Sequence, residues 1–266
     1  RLDMLAQVTE PVKFETLLGQ VVTVEIRSKS VVRYVNGIIS RLIEGRQVRA
    51  SLEDTVFFSY RAEVVPKLWL HTHTARTRIF QQKTVKEILT EVLVDCFATF
   101  KLEGTYEKRD YCVQYRETDF DFASRLMEEE GIFYNFEHTD GDHTMVLMDS
   151  PGSLKNCPNQ HKYKYAFQIH PDHPEDFIHT VDIEQNYRTG KVSLAEFDFT
   201  KQYDPFQTTV SGKYAESEKY DYPGYRWNGV GMDKLARGFL EMEEWPMSLI
   251  RGHSTCLLYT SPSPRD

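Results

Sequence analysis

The stretch "RETDFDFASRLMEEEGIFYNFEH" (Arg116–His138) decides how the chain is read. It holds three adjacent glutamates, Glu128, Glu129 and Glu130, and paired carboxylates can run glycoside hydrolysis. Its local grammar is nevertheless that of a capped helix running into a strand. Thr118 and Asp119 both suit an N-cap, where a side-chain oxygen accepts the free amides of the first turn. Thr118 with Asp121 three residues on approximates a capping box. Phe122, Ala123, Leu126 and Met127 recur at helical spacing, and Gly131 stands where a left-handed C′ residue is wanted. The aromatic run "IFYNFEH" then reads as a strand. Neighbouring helical residues fan out by about 100°, so the three glutamates cannot converge on one substrate. They are expected on a solvated face, with no catalytic role.

Working outward, "DYCVQYRE" (110–117) reads as the strand before this helix, and "HTMVLMDS" (143–150) as the strand after the turn "TDGD" (139–142). Upstream, "TVKEILTEVLVDCF" (84–97) places Val85, Ile88, Leu89, Val92 and Leu93 on one helical face. Thr84 and Glu87 supply its capping box. Residues 80–150 are therefore expected to form an α+β unit with its own apolar faces.

On either side the pattern is β. "QVVTVEIR" (20–27) alternates, with Val22, Val24 and Ile26 on one face. "VVRYVNGIISRLI" (31–43) is a second strand, in which Gly37 predicts a bulge or bend. "VFFSYRAEVV" (56–65) alternates again, setting Phe58, Tyr60, Ala62 and Val64 against Ser59, Arg61 and Glu63. Such spacing predicts an antiparallel meander or small barrel over 1–79. Residues 151–176, rich in Pro, Asn and His, read as a connecting loop. Strand patterns resume at "TVDIEQNYR" (180–188) and "KVSLAEFDF" (191–199), separated by a Thr189–Gly190 turn. "KYAESEKYDYPGYRWNG" (213–229) reads as a polar loop. "MDKLARGFLEME" (232–243) has Met232, Leu235, Ala236, Phe239 and Leu240 on one helical face, and "LIRGHST" (249–255) is a final strand. A second β domain is thus expected over 177–255. The tail 256–266, with its "SPSP", continues none of this and reads as non-native. The chain opens without methionine and in mid-pattern, which reads as a start inside the first domain.

Composition narrows the function. With 32 basic and 40 acidic residues the net charge is −8, which argues against nucleic acid or an anionic membrane as main partner. No apolar run approaches the roughly 20 residues that span a bilayer. Four separated cysteines, Cys96, Cys112, Cys157 and Cys256, form no CxxC pair, signalling neither a zinc knuckle nor a disulfide framework.

The nine histidines invite a metal hypothesis. His71 and His73 flank Thr72 and would share a face on a strand. His170, His173 and His179 accompany Asp172, Glu175 and Asp176 in the 151–176 loop and just beyond it. Zinc needs three or four ligands on a rigid frame, and there is no HExxH, so no metal ligand is assigned. Nor is there a GxSxG, a P-loop or a cysteine motif, and no catalytic or cofactor-binding residue is assigned.

"YCVQYRETDFDFASRLMEEEGIFYNFEH" followed by "HTMVLMDSP" resembles the most characteristic stretch of the VgrG family, the spike proteins of the bacterial type VI secretion system. "LLGQVVTVEI", "YVNGIISRL", "EVVPKLWLHTHTARTRIFQ", "VKEILTEVL", "YDYPG" and "LARGFLEME" agree in order, so the resemblance covers about residues 2–255. It implies a mainly β fold with an α+β insertion: two β-barrel-like tube domains of phage tail-hub type flanking residues 80–150. It further implies a structural protein and not an enzyme. Three such chains would form a ring of six tube domains that caps a hexameric Hcp tube and carries a needle and effectors. The protein would then assemble in the cytoplasm of a Gram-negative bacterium and be secreted. A phage or prophage tail hub, or the hub of a peptidoglycan-degrading tail enzyme with its catalytic domain elsewhere, are the alternative readings.

Overall fold

The computed structural model describes residues 1–7, 12–27, 32–49, 56–156, 162–166, 177–197, 206–223 and 231–254. They fall into two compact units, Arg1–Met127 with Ile132–Leu154, and Glu128–Gly131 with the residues from Lys155 onward.

The first unit begins with β1 (Leu2–Ala6), β2 (Val21–Arg27), β3 (Val32–Arg49) and β4 (Val56–Val65). These make one antiparallel sheet in the order β1-β4-β3-β2. Val22, Val24 and Ile26 are half-buried while their neighbours are exposed, so the alternation read from sequence is that of a one-sided sheet. Ile39, Leu42 and Ala62 bury on its inner face. Gly37 corrects an expectation. It pairs with Val22 in unbroken register, and the irregularities fall later, between Ile39 and Arg41 and between Glu44 and Gln47. The glycine is there because a Cβ would stand 2.4 Å from the Val65 carbonyl oxygen.

The unit continues through β5 (Ala75–Lys83), α1 (Val85–Val92), β6 (Thr99–Lys101), β7 (Arg109–Thr118), α2 (Asp119–Glu130), β8 (Phe133–His138) and β9 (His143–Met148). β5 pairs antiparallel with β7, and β6-β9-β8 form a second small sheet. Both predicted caps are present. Thr84 accepts the Glu87 amide while Glu87 accepts the Thr84 amide, and Thr118 accepts the Asp121 amide at 3.0 Å. Gly131, at φ 69°, ends α2. The helical faces read from sequence are buried together. Val85, Ile88, Leu89 and Val92 of α1 meet Phe122, Ala123, Leu126 and Met127 of α2, with Met145 and Leu147 of β9. Phe80 stacks on Phe122 at 5.6 Å. Each such large side chain stabilises the unit by about 1.5–3 kcal/mol against exposure.

The second unit contains β10 (Lys164–Tyr165), β11 (Phe177–Gln185), β12 (Lys191–Glu196), β13 (Phe206–Ser211), β14 (Glu218–Asp221), α3 (Met232–Glu244) and β15 (Ser248–Ser254). Met232, Leu235, Ala236 and Leu240 of α3 pack on Val192 and Leu194 of β12. β12 lies between antiparallel β13 and parallel β14, whereas β11 lies between β10 and β15. The Thr189–Gly190 connection therefore joins strands of different sheets. β14 falls inside the stretch expected to be a loop. It is an edge strand of mostly exposed residues, so it carries no apolar alternation to read.

Among the described residues every sheet is open, and no closed barrel is formed. No described helix is long and apolar enough to cross a membrane.

Candidate functional site

Glu128, Glu129 and Glu130 form the last turn of α2, where Glu128 is exposed and the other two are half-buried. None of them is free of polar partners. Their successive directions follow the helix, with the buried stripe ending at Met127 just before them.

The polar centre of this region lies at the other end of the helix. Asp119 is 2% exposed, and its Oδ1 accepts from Arg78 Nη2 at 2.7 Å and from Gln114 Nε2 at 2.8 Å. Arg76 and His71 face Oδ2 at 3.5 and 3.8 Å. Gln114, fully buried, accepts from Arg78 Nε at 2.8 Å and donates to the Glu117 carbonyl. A buried carboxylate persists when its lone pairs are engaged by cations and amides, and this one is. The cluster joins β5, β7, α2 and the 3₁₀ segment Lys67–His73. Sequence reasoning saw Asp119 as a cap candidate only. The signal for more was the i, i+2 pair Arg76 and Arg78 on one strand, two cations in search of a carboxylate.

The same 3₁₀ segment corrects the reading of its histidines. His71 and His73 are not on a strand and do not share a face: His71 turns inward to Asp119, while His73 packs edge-on to Trp69 at 4.3 Å. His170, His173, Asp172, Glu175 and Asp176 lie outside the described residues. His179 on β11 stacks on His253 of β15 at 6.1 Å. Among the described residues no three His, Cys, Asp or Glu side chains converge as a metal site. Cys96 and Cys112 are buried, and burial, aided by Asp95, pushes the Cys96 thiol up to about 12, well away from a reactive thiolate.

A second polar group, missed in the sequence, pairs half-buried His138 of β8 with buried His143 of β9, their rings 5.6 Å apart. Their spacing across the "TDGD" turn places them opposite each other in the hairpin register. Burial lowers both imidazoles from their usual value, His138 further by the neighbouring His143. Lys67 also lowers His143, against the opposing pull of Asp142.

In the second unit, the chemistry that stands out is apolar exposure. Ile183 and Ile250 are cross-strand partners of β11 and β15, and they are 73% and 74% exposed. Val181, two residues from Ile183, adds to that face. Ser193 is buried, donating to Glu218 at 2.5 Å. The Glu218 carboxyl, held below its usual range by Ser193 and then Lys191, fastens β14 to β12. These arrangements supply structure and a sheet face suited to packing against another protein surface.

A family model described as phage tail baseplate hub (GPD) matches residues 1–258. The type VI secretion system spike protein VgrG1b of Pseudomonas aeruginosa is 34% identical over 216 residues, which is 79% of this chain and 28% of that protein. The chain therefore spans under a third of this relative's length. Two solved structures share the fold. An E. coli type VI secretion system component, described as structurally similar to phage T4 tail proteins, superposes at TM-score 0.61 and 15% identity, covering 97% of this chain and 56% of that one. A prophage 43 kDa tail protein from Shewanella oneidensis also gives 0.61, at 12% identity, covering 94% and 72%.

Proposed function

The chain belongs to the phage tail baseplate hub family, and we propose that it is the hub part of a type VI secretion spike. The resemblance to VgrG spike proteins read from the sequence is borne out by the relative from Pseudomonas aeruginosa. The observation that carries the proposal is the hub-family match across residues 1–258. In this reading residues 1–79 and 177–255 act as two tube-like parts flanking the α+β part 80–150. Three chains form a ring whose six parts suit a hexameric Hcp tube. Spike-tip and effector proteins would attach through regions outside this sequence. Assembly is cytoplasmic and the product is secreted. The role is structural, and Glu128, Glu129 and Glu130 are assigned no chemistry.

The exposed Ile183–Ile250 face supports the reading, because a ring needs surfaces that a neighbouring subunit covers. The test is sedimentation of the chain joined to the regions that follow it in its spike relatives, with and without Ile183→Asp. A trimer that dissociates in the variant is the expected result. A chain that stays monomeric at roughly tens of micromolar overturns the hub assignment. The prophage tail protein keeps a second reading in view, a tail hub of a contractile phage particle. Gene neighbours encoding virion parts instead of secretion components would favour it.

A further inference from the structure

His138 and His143 sit where the β8–β9 hairpin meets the rest of the first unit, and each receives a backbone amide proton from another element. Asn36 N, on β3, donates to His138 Nδ1 at 3.0 Å. Lys67 N, opening the 3₁₀ segment, donates to His143 Nε2 at 3.3 Å. A ring nitrogen can accept only while it carries no proton. We propose that this histidine pair is an acid-sensitive clasp, which holds β3 and the Lys67–His73 segment to the hairpin while both rings are neutral and releases them on protonation.

The surroundings favour the neutral rings. Around His143 the cation is Lys67 and the anion is Asp142. Asp142 is already engaged by the His143 amide at 2.8 Å and faces Lys67 Nζ at 3.9 Å. His143 Nδ1, which carries the proton of the neutral ring, is buried without a hydrogen-bond partner, so a charged ring gains nothing there. At His138, Asn36 of β3 and Thr23 of β2 bring neutral polar groups. Asn36 Oδ1 lies 3.1 Å from the same nitrogen, and Asn36 Nδ2 donates to Thr23 Oγ1 at 2.9 Å. A proton on His138 Nδ1 could turn to that oxygen, but only by giving up the Asn36 amide. Glu137, next in chain, is drawn to Lys101 at 2.8 Å, and Phe136 lies against both rings. Two imidazolium rings 5.6 Å apart, with Lys67 beside them, would also repel.

The sign follows from linkage. Both rings are lowered from 6.5, chiefly by burial. The unfolded chain therefore takes up protons first, and the clasp's contribution is complete above 6.5 and is lost as pH falls through the folded values.

The experiment is amide hydrogen exchange on the unmodified chain, corrected for intrinsic rates, from about pH 7.5 to about pH 5, with the imidazole C–H signals followed in parallel. Protection of the Asn36 and Lys67 amides should fall about tenfold, the scale of one lost hydrogen bond, while Ile88 and Leu126 hold theirs. In His143→Gln, an acceptor that does not titrate, Lys67 protection should become independent of pH. Unchanged protection at both amides while the rings titrate, or rings that titrate at or above 6.5, overturns the proposal.

Discussion

Arg78 Nη2 reaches Asp119 Oδ1 at 2.7 Å, and that one contact ties β5 to the first turn of the central helix α2. The carboxylate is buried, whereas the Arg78 side chain keeps 24% of its exposure. Removing the anion strands the cation and Gln114 together, a costlier outcome than never having built the pair. Asp119→Ala should lower unfolding free energy by about 3 kcal/mol in urea titration. Replacing Arg78 by Met as well should return part of that loss. A single variant as stable as the parent would show that the cluster contributes nothing.

Gly37→Ala tests the close approach of β3 to β4. Its Cβ would meet the Val65 carbonyl oxygen and Val64 Cγ1, at 2.4 and 2.8 Å, and backbone cannot step aside cheaply. A loss of about 1–3 kcal/mol is expected, with a lower thermal midpoint. Gly141→Ala is the comparison: it meets open space and carries only the strain of φ 93°, about 1 kcal/mol.

Asp149 gives a pH signature separate from that of the histidines. Burial raises its pKa, but the amides of Glu103 and Gly104 and the Tyr106 hydroxyl, at 2.9, 2.7 and 2.8 Å, outweigh this and lower it overall from 3.8. A carboxyl lowered on folding contributes stability above 3.8, lost as pH falls through its folded value. The stability gap between the parent and Asp149→Asn should therefore close in that acid range. Tyr106→Phe should narrow it at neutral pH. A gap that stays constant into acid would rule out this role.

Changing Glu128, Glu129 and Glu130 together to Gln should leave the fold intact, with only a modest stability change, as measured by circular dichroism and thermal melting. If the purified parent cleaves peptidoglycan and this variant does not, the structural assignment fails.

The α+β part was legible because its signals are local. Thr84, Thr118 and Gly131 mark helix ends within a few residues, and the stripes from Val85 to Val92 and from Phe122 to Met127 lie inside single elements. What escaped depends on partners distant in sequence. Nothing near Gly37 announces the Val65 carbonyl, nothing near Asp119 announces Arg78, and His138 finds Asn36 from 102 residues away. β14 was unreadable for a different reason: an exposed edge strand held by Lys191 and Ser193 has no apolar face to show. Strand spacing allowed a meander or a small barrel and the family resemblance implied barrel-like domains, but the alternation itself specifies only one-sided strands, and among the described residues the sheets stay open.

The pairing of β11 with β15 bears on how the second unit comes into being. Gln185 bonds Ser248 across 63 residues and Thr180 bonds His253 across 73, with β12, β13, β14 and α3 between them. Among the described residues, β11 pairs only with two-residue β10 and with β15, the last described strand. On a ribosome, the β12–α3 layer can assemble as it emerges, while β11 waits with the backbone groups that pair with β15 still open. Closing so long a loop is slow. The rate at which this sheet matures is therefore set by its latest-made described strand, the seven residues Ser248–Ser254.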